Sequence, residues 1–238
     1  MIVVALDGPS GSGKSSTSKG VAMRAGWSYL DTGALYRAIT YIALSIKSEK
    51  SSDILDELRK FPISFTADPK DPRVFIGNKD ISVDIRSHEV TSAVSVISAL
   101  PEIRAELLSL QRSIIAKAER GIVVEGRDIG TVVCPDAALK VFLTADIDAR
   151  ARRRDAELAG ASQGVSQVGE SLSERDRIDS TRAVSPLTPA FDAVHIDSTE
   201  LTLDETVDRI WELLSERDRK STRLNSSHIP LSRMPSSA

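Results

Sequence analysis

The chain has 238 residues, of which 41% are hydrophobic and 27% are charged, and this balance suits one water-soluble domain with insertions. A formal net charge of −3 argues against a general nucleic-acid or membrane-surface binder, because such proteins need a broad basic field. The chain has one cysteine, Cys134, no signal-peptide pattern and no apolar run near the ~18 residues that span a membrane, so we expect a cytoplasmic protein that binds neither nucleic acid nor membrane.

A glycine-rich segment follows a short apolar run near the start of the chain. Residues 8–15 read Gly-Pro-Ser-Gly-Ser-Gly-Lys-Ser and match the phosphate-loop pattern G-x-x-x-x-G-K-[ST] between a predicted strand and a predicted helix. Glycines let successive backbone N–H groups converge on one anion, and the positive end of the next helix adds to them. Lys14 supplies a mobile charge for the β- and γ-phosphates, and the Ser15 hydroxyl is placed to bind Mg²⁺. The predicted nucleoside triphosphate site consists of Gly8, Pro9, Ser10, Gly11, Ser12, Gly13, Lys14, Ser15 and Ser16.

Helical and strand patterns alternate after this loop. Residues 14–25 predict a helix that ends at Gly26, and residues 27–30 predict a short strand. Apolar residues then recur at helical spacing from Leu35 to residue 46. Arg37 is about 200° around that helix from Leu35, so its side chain is free to point into a cleft.

The pattern changes to short strands from residue 61. Apolar and polar residues alternate from 63 to 67, and the apolar residues 74–76 precede Gly77-Asn78, which is a hairpin-turn signal. This pattern predicts a small antiparallel insert. Residues 78–80, Asn-Lys-Asp, resemble the guanine-binding motif N-K-x-D, but the aspartate is one place early, so we interpret them as a turn.

The second half of the chain returns to alternating helices and buried strands. Helices are predicted at 89–99 and from Pro101, and fully apolar strands at 121–125 and 139–143. A last strand at 193–197 precedes a capping box that starts at Thr202. The final helix is predicted to bury Leu203, Val207, Ile210 and Leu214. This order predicts an α/β fold, a P-loop NTPase-type parallel sheet covered by helices on both faces.

Arginines concentrate between the last two predicted strands. Residues 148–158 predict a helix with four arginines, and a second arginine-rich run covers residues 174–182. Residues 159–169 are rich in Gly, Ser and Gln, which indicates a mobile loop. A solvated helix surface is the alternative for such charge runs. Here, however, two arginine-rich runs flank a glycine-rich loop in a chain that also has a phosphate loop. This combination favours a mobile helical lid.

Arginine suits a kinase whose acceptor also carries a phosphate, because its planar fork binds phosphate oxygens in pairs. We expect Arg37, Arg127 and Arg182 to hold the acceptor phosphate, although a structural ion pair is an alternative for Arg127 alone. Lid arginines would close over the donor and exclude water. These lid residues are Arg153, Arg175 and Arg177.

Four segments together resemble the bacterial-type cytidylate kinase family, over about residues 2–217. The resemblance implies transfer of the γ-phosphoryl group of ATP to CMP or dCMP with Mg²⁺, by a monomer with a core, a monophosphate-binding region and a lid. Many NTPases share the first segment, whereas the combination is highly specific. The segments are residues 8–14, 31–37, 125–131 and 175–183.

The resemblance also implies roles for individual residues. Thr32, Arg37, Arg127 and Arg182 would hold the CMP phosphate. Ser95, Arg104 and Asp128 would bind the cytosine, and Arg175 and Asp179 the ribose. The implied catalytic residues are Lys14, Arg127 and Arg175. A serine on a helix surface is the alternative for Ser95. Two departures, Glu125 where the family often has aspartate and Ser180 where some members have arginine, remove none of these residues.

The resulting domain assignment is a single kinase domain over residues 1–220, followed by a disordered, appended tail at 221–238. The lid is 150–185, the monophosphate-binding region 34–118, and the core comprises 1–33, 119–149 and 190–219. Two other functions stay open. Another small-molecule P-loop kinase, for a different nucleoside monophosphate or of shikimate type, would lack the pairing of residues 31–37 with Arg127 and Asp128. A P-loop regulatory switch would need the N-K-x-D motif that is absent here.

Overall fold

The computed structural model describes residues 1–157 and 164–226. The strands are β1 (Ile2–Asp7), β2 (Ser28–Asp31), β3 (Ile63–Phe65), β4 (Val74–Ile76), β5 (Lys79–Asp80), β6 (Gly121–Gly126), β7 (Leu139–Thr144) and β8 (Val194–Asp197). The helices are α1 (Lys14–Ala25), α2 (Thr32–Ile46), α3 (Ser51–Lys60), α4 (His88–Ile97), α5 (Pro101–Ala116), α6 (Ile147–Glu157), α7 (Val165–Thr181) and α8 (Leu203–Ser226). None of the helices in these ranges is long and apolar enough to cross a membrane.

Five parallel strands form the main sheet, in the order β2-β6-β1-β7-β8. Successive side chains of a strand point to opposite faces, so the central strand β1 contributes to two cores. Ala5 packs with residues of α2, α3 and α5 on one face. Val4 and Leu6 pack with residues of α1 and α8 on the other. The predicted α/β fold, with helices on both faces of a parallel sheet, is confirmed.

The register of the sheet places acidic residues side by side at the carboxyl ends of the strands. Asp7 at the end of β1 is opposite Gly126 of β6 and Phe142 of β7, and Asp31 of β2 is opposite Glu125. Ligands of open parallel sheets bind beyond the carboxyl ends of the strands. The loops after β1, β2 and β6 therefore converge on one side of the molecule.

The predicted antiparallel insert is also present. Strands β3, β4 and β5 form a separate three-stranded sheet, with the turn at Gly77-Asn78 between β4 and β5. Its inward residues, Ile63 and Val74, join the core that covers the α2 face of the main sheet. The insert thereby supports α2, the helix that carries Arg37.

A mobile loop was predicted at 159–169. The prediction is wrong for residues 165–169, because α7 begins at Val165. Val168 and Leu172 of α7 are buried against Ala151 of α6. A Cβ on Gly169 would lie 3.7 Å from that of Ala151, so the glycine lies at a close contact between the two helices. Residues 158–163 lie outside the described residues. The two lid helices therefore form a packed pair with a small core of their own.

The last helix differs from prediction at both ends. The capping box is present, since Thr202 and Glu205 bond each other's backbone N–H groups at 2.8 and 3.2 Å. Leu203, the first residue of α8, was expected to be buried but is 48% exposed. Helix α8 continues to Ser226, so residues 221–226, assigned above to a disordered tail, are helical. Residues 227–238 lie outside the described residues.

Candidate active site

The phosphate loop connects β1 to α1 in a shape that close contacts fix. Gly8 has a φ of +150°, and a Cβ on it would lie 2.0 Å from the Leu143 carbonyl oxygen of β7, so no side chain fits there. The backbone N–H groups that begin α1 have no partner within the helix and form an anion site. The Lys14 Nζ, nearly buried, donates to the Pro9 carbonyl oxygen across the loop. Contacts within the protein therefore hold the loop in this shape.

A buried carboxylate lies beside this loop. The Ser15 hydroxyl donates to Glu125 Oε2 at 3.1 Å, and the Tyr29 hydroxyl donates to the other oxygen. Burial raises the pKa of Glu125, which lies at the end of β6. Mg²⁺ binds through hard oxygen ligands and usually combines one or two protein oxygens with waters and substrate phosphates. Ser15 and Glu125 fit that requirement.

Burial also disfavours the charge of Lys14. It lowers the pKa of the ammonium, and the neighbouring Arg127 lowers that pKa further, whereas Glu125 opposes the shift. A buried cation whose charge is disfavoured gains most from an incoming anion. An anion bound beside Lys14 would offset the cost of burying this charge.

Arginines crowd the other end of the cleft. Burial, and next the proximity of Arg175, lowers the pKa of Arg37 to about 9. Burial, and next Arg127, lowers the pKa of Arg175 to about 10. The pKa of Arg182 is also lowered, by burial and then by Arg104. The Nε of Arg175 is buried without a hydrogen-bond partner among the described residues. Mutual repulsion and an unpaired donor are what a bound dianion would relieve.

One carboxylate joins two of these arginines. Asp179, near the end of α7, accepts a hydrogen bond from Arg127 Nε at 2.9 Å and lies 3.6 Å from Arg182 Nη1. Thr32 lies close by, where its hydroxyl donates to the Glu125 carbonyl oxygen at 2.7 Å. Arg37, at the other side, donates to Thr91 Oγ1 at 2.8 Å. The residues predicted to hold the acceptor phosphate thus lie together.

A buried ion pair extends the acceptor region. Arg104 Nη2 donates to Asp128 Oδ2 at 2.6 Å, and both side chains are 6% exposed. The Arg104 guanidinium lies 5.1 Å over the Tyr36 ring. Ser95 of α4, nearly buried, lines the same space. A fixed donor beside a fixed acceptor can recognise one edge of a planar base.

The phosphate loop, the buried arginines and the Arg104–Asp128 pair border one cleft of about 680 Å³. It contains every site residue predicted from the sequence except Gly8, Pro9 and Arg177. Gly8 and Pro9 shape the loop from behind. Arg177 is 63% exposed and pairs with Glu174 on the outer face of α7, so the structure does not bring it to the site.

Comparisons with known proteins agree with this geometry. The sequence pattern of a family described as cytidylate kinase matches residues 4–216. The chain belongs to the cytidylate kinase family. A cytidylate kinase of Streptomyces avermitilis is 50% identical over 91% of this chain and 94% of its own length, and one of Streptococcus thermophilus is 46% identical over 89% and 95%. An uncharacterized protein from Eubacterium ventriosum, 12% identical, shares the fold with a TM-score of 0.50 over 90% of this chain and 98% of its own.

Side-chain contacts join α6 and α7 to the phosphate loop and to the segment after β8. Asp176 of α7 accepts a hydrogen bond from the Ser10 backbone N–H at 3.1 Å and pairs with Arg150. Arg150 also donates to the Ser10 carbonyl oxygen at 3.0 Å. Arg153 lines the cleft and donates to the Ser198 carbonyl oxygen at 2.6 Å. The lid is therefore bonded to the phosphate loop and to the segment after β8.

Sequence reasoning missed several residues of the cleft. Tyr36 is adjacent to Arg37 in a quoted motif, and Glu125 was noted only as a departure, so both had a signal in the sequence. Leu201, Leu203 and Thr206 form the rim of the cleft at the start of α8. The local sequence does not indicate that these residues border the cleft, because their position depends on where β8 and α8 pack in the fold.

Proposed function

We propose that the chain transfers the γ-phosphoryl group of ATP to CMP or dCMP, giving ADP and CDP or dCDP. The observation that carries the proposal is a single cleft that joins an intact phosphate loop to buried arginines of lowered pKa and to the Arg104–Asp128 pair. The family of the chain is consistent with this acceptor, since the relatives named above are cytidylate kinases.

The donor half of the reaction is assigned to the phosphate loop and the lid. The loop backbone and Lys14 would bind the β- and γ-phosphates, and Lys14 would follow the phosphoryl group as it moves. The apolar rim of Leu201 and Leu203 suits the flat face of a nucleotide base. Ser15 and Glu125 would hold Mg²⁺, which when bound neutralises charge on the phosphates. Arg127 and Arg175 lie between the two halves, where charge develops during transfer.

The acceptor half is assigned to the arginine cluster. Arg37, Arg127 and Arg182, with Thr32, would hold the monophosphate, and Asp179 with Arg175 the ribose. All of these groups come from one chain, which supports the proposal that the enzyme acts as a monomer.

The Arg104–Asp128 pair explains a preference for cytosine. Cytosine offers an amino donor at N4, which the Asp128 carboxylate can accept, while Arg104 donates to an acceptor on the same edge. Uracil has a carbonyl oxygen at that position, which would face a buried carboxylate. A buried polar group left unpaired in this way is a strong basis for discrimination. We therefore expect UMP to be a poor substrate.

A coupled ADP-release assay tests the proposal with CMP, dCMP, UMP and AMP as acceptors. We expect turnover to be stimulated by CMP and dCMP and far less by the other two. Lys14→Ala is the matched negative control, and we expect it to lower kcat by about 10²–10³, the usual effect of removing one transition-state donor. ATP turnover that CMP does not stimulate would contradict the proposal, and unchanged turnover in Lys14→Ala would remove Lys14 from the mechanism.

A further inference from the structure

Asp7 is a buried carboxylate to which the proposed mechanism gives no part. It ends β1 and directly precedes Gly8, the first residue of the phosphate loop. The residue is 3% exposed and its side chain is not among those that line the cleft. Burial without a lysine or arginine partner is costly for a carboxylate, so its contacts require an explanation.

Each oxygen of Asp7 accepts one backbone hydrogen bond. Oδ1 accepts from Ile129 N–H and Oδ2 from Gly130 N–H, both at 2.8 Å. These amides belong to two consecutive residues that follow the C-terminal end of β6. They are 122 and 123 positions after Asp7 in the sequence. The carboxylate therefore holds one short turn of the chain at two adjacent points.

That turn begins immediately after Asp128. Residues Ile129–Val133 form one turn of π-helix, in which the Cys134 N–H bonds the Ile129 carbonyl oxygen at 2.7 Å. The first N–H groups of a helical turn have no partner within it, and Asp7 supplies that partner. Such π-helical turns recur at functional sites, and here the residue before the turn is the one that pairs with Arg104.

The two contacts connect the halves of the cleft. Asp7 opposes Gly126 in the sheet register, so the chain after β6 must bend back over the end of β1 to bring Asp128 to the base. The backbone at Asp128 has φ −141° and ψ 25°, a conformation outside the regular elements. Both Asp7 contacts lie within two residues of Asp128.

We infer that Asp7 is a positioning residue, which holds the turn at 129–130 so that Asp128 and Arg127 meet the acceptor nucleotide. It acts through the backbone of the turn and does not touch substrate. The inference rests on the proposed function, because it assigns Asp128 to the acceptor base. The end of β1 would then position two segments of the cleft, the phosphate loop that follows it and the turn at 129–130 that Asp7 binds.

Asp7→Asn tests this role with little change in shape. The amide can accept from one of the two N–H groups but presents its own N–H to the other, so one contact is lost. We expect the KM for CMP to rise about tenfold or more, the KM for ATP to change by less than about twofold, and the CMP-to-UMP ratio of kcat/KM to fall. Asp53→Asn is the matched control, a carboxylate with local hydrogen bonds in the first turn of α3, outside the cleft.

Amide hydrogen exchange provides a readout that does not depend on turnover. We expect Asp7→Asn to speed exchange in peptides that cover residues 127–134 but not in those that cover α3. Asp7→Ser, which keeps one acceptor and buries no charge, is the second variant if the first folds poorly. Equal rises in both KM values, or an unchanged CMP-to-UMP ratio with unchanged exchange, would overturn the inference. If the native enzyme does not phosphorylate CMP, the proposed function fails, while exchange still reports whether Asp7 holds the turn.

Discussion

At the scale of single residues, the cleft is built from charges that its own burial disfavours. Arg37 and Arg175 have lowered pKa values because they are buried next to other arginines. Strongly shifted groups of this kind cluster at functional sites, where a ligand supplies the missing counter-charge. A bound anion would supply the counter-charge that these arginines lack in the empty cleft.

Asp128→Asn should change which base the enzyme accepts. In the proposed function the carboxylate would accept from the cytosine amino group, whereas the amide nitrogen of the variant can donate to the uracil carbonyl oxygen. We expect kcat/KM for CMP to fall by about 10²-fold or more and that for UMP to fall much less. Steady-state kinetics with both acceptors measure the effect, with ATP saturating. An equal loss for both bases would mean that Asp128 supports the fold through Arg104 and does not read the base.

Asp7 predicts a distinct pH dependence of stability. Burial raises its pKa to about 6 from 3.8, and the bonds from Gly130 and Ile129 only partly oppose this. The folded chain therefore binds the proton of the Asp7 carboxyl group more tightly than the unfolded chain does. Protonation of Asp7 favours folding at low pH, and this stabilisation is lost as the pH rises through 6. Between pH 4 and 7 the loss is about 2 kcal/mol.

Urea denaturation of the native chain and of Asp7→Asn checks this sign. The native-minus-variant difference in the free energy of unfolding should decrease from pH 4 to pH 7 and then level off. The comparison cancels the other titrating groups, including Glu125, whose pKa burial also raises. A difference that grows with pH would mean that Asp7 is stabilised as an anion in the folded state.

At the scale of the elements, prediction succeeded where the signal is local. The phosphate loop, the capping box at Thr202 and the hairpin at Gly77 are each encoded in a few consecutive residues, and all three are present. It failed where packing decided the outcome. Residues 165–169 were interpreted as loop because of their glycines and serines, yet Val168 and Leu172 bury a helical face against α6. Propensity is a weak guide once such a contact forms.

The helix pair α6–α7 contacts the phosphate loop through Asp176, which accepts from the Ser10 N–H, and through Arg150, which donates to the Ser10 carbonyl oxygen. Asp176→Ala removes both the bond from the Ser10 N–H and the partner of Arg150. We expect the KM for ATP to rise about fivefold or more and limited proteolysis within the lid to accelerate, because the closed arrangement loses its anchor. Glu174→Ala is the control, an exposed acid of the same helix whose ion pair is with Arg177 and not with the phosphate loop. Equal behaviour of the two variants would contradict the anchoring role of Asp176.

At the scale of the whole molecule, the sheet order explains why two distant segments form one site. β1 lies between β6 and β7, so the phosphate loop after β1 lies beside the Arg127–Asp128 turn after β6. Residues of all four sequence motifs line the cleft, and the parallel sheet predicted that they would meet beyond the carboxyl ends of its strands. The partners of Asp7, the Arg104–Tyr36 contact and the rim at Leu203 could not be predicted, since each joins segments whose relative placement only the fold defines.

The most direct test of the central claim follows the phosphoryl group itself. Native protein is incubated with CMP, Mg²⁺ and ATP labelled in the γ-phosphate, and the products are separated. We expect the label to appear in CDP, with little in inorganic phosphate. The reason is that the lid and the arginine cluster would exclude water and direct transfer to the bound acceptor. Label that accumulates in inorganic phosphate, or that is absent from CDP, would contradict this expectation.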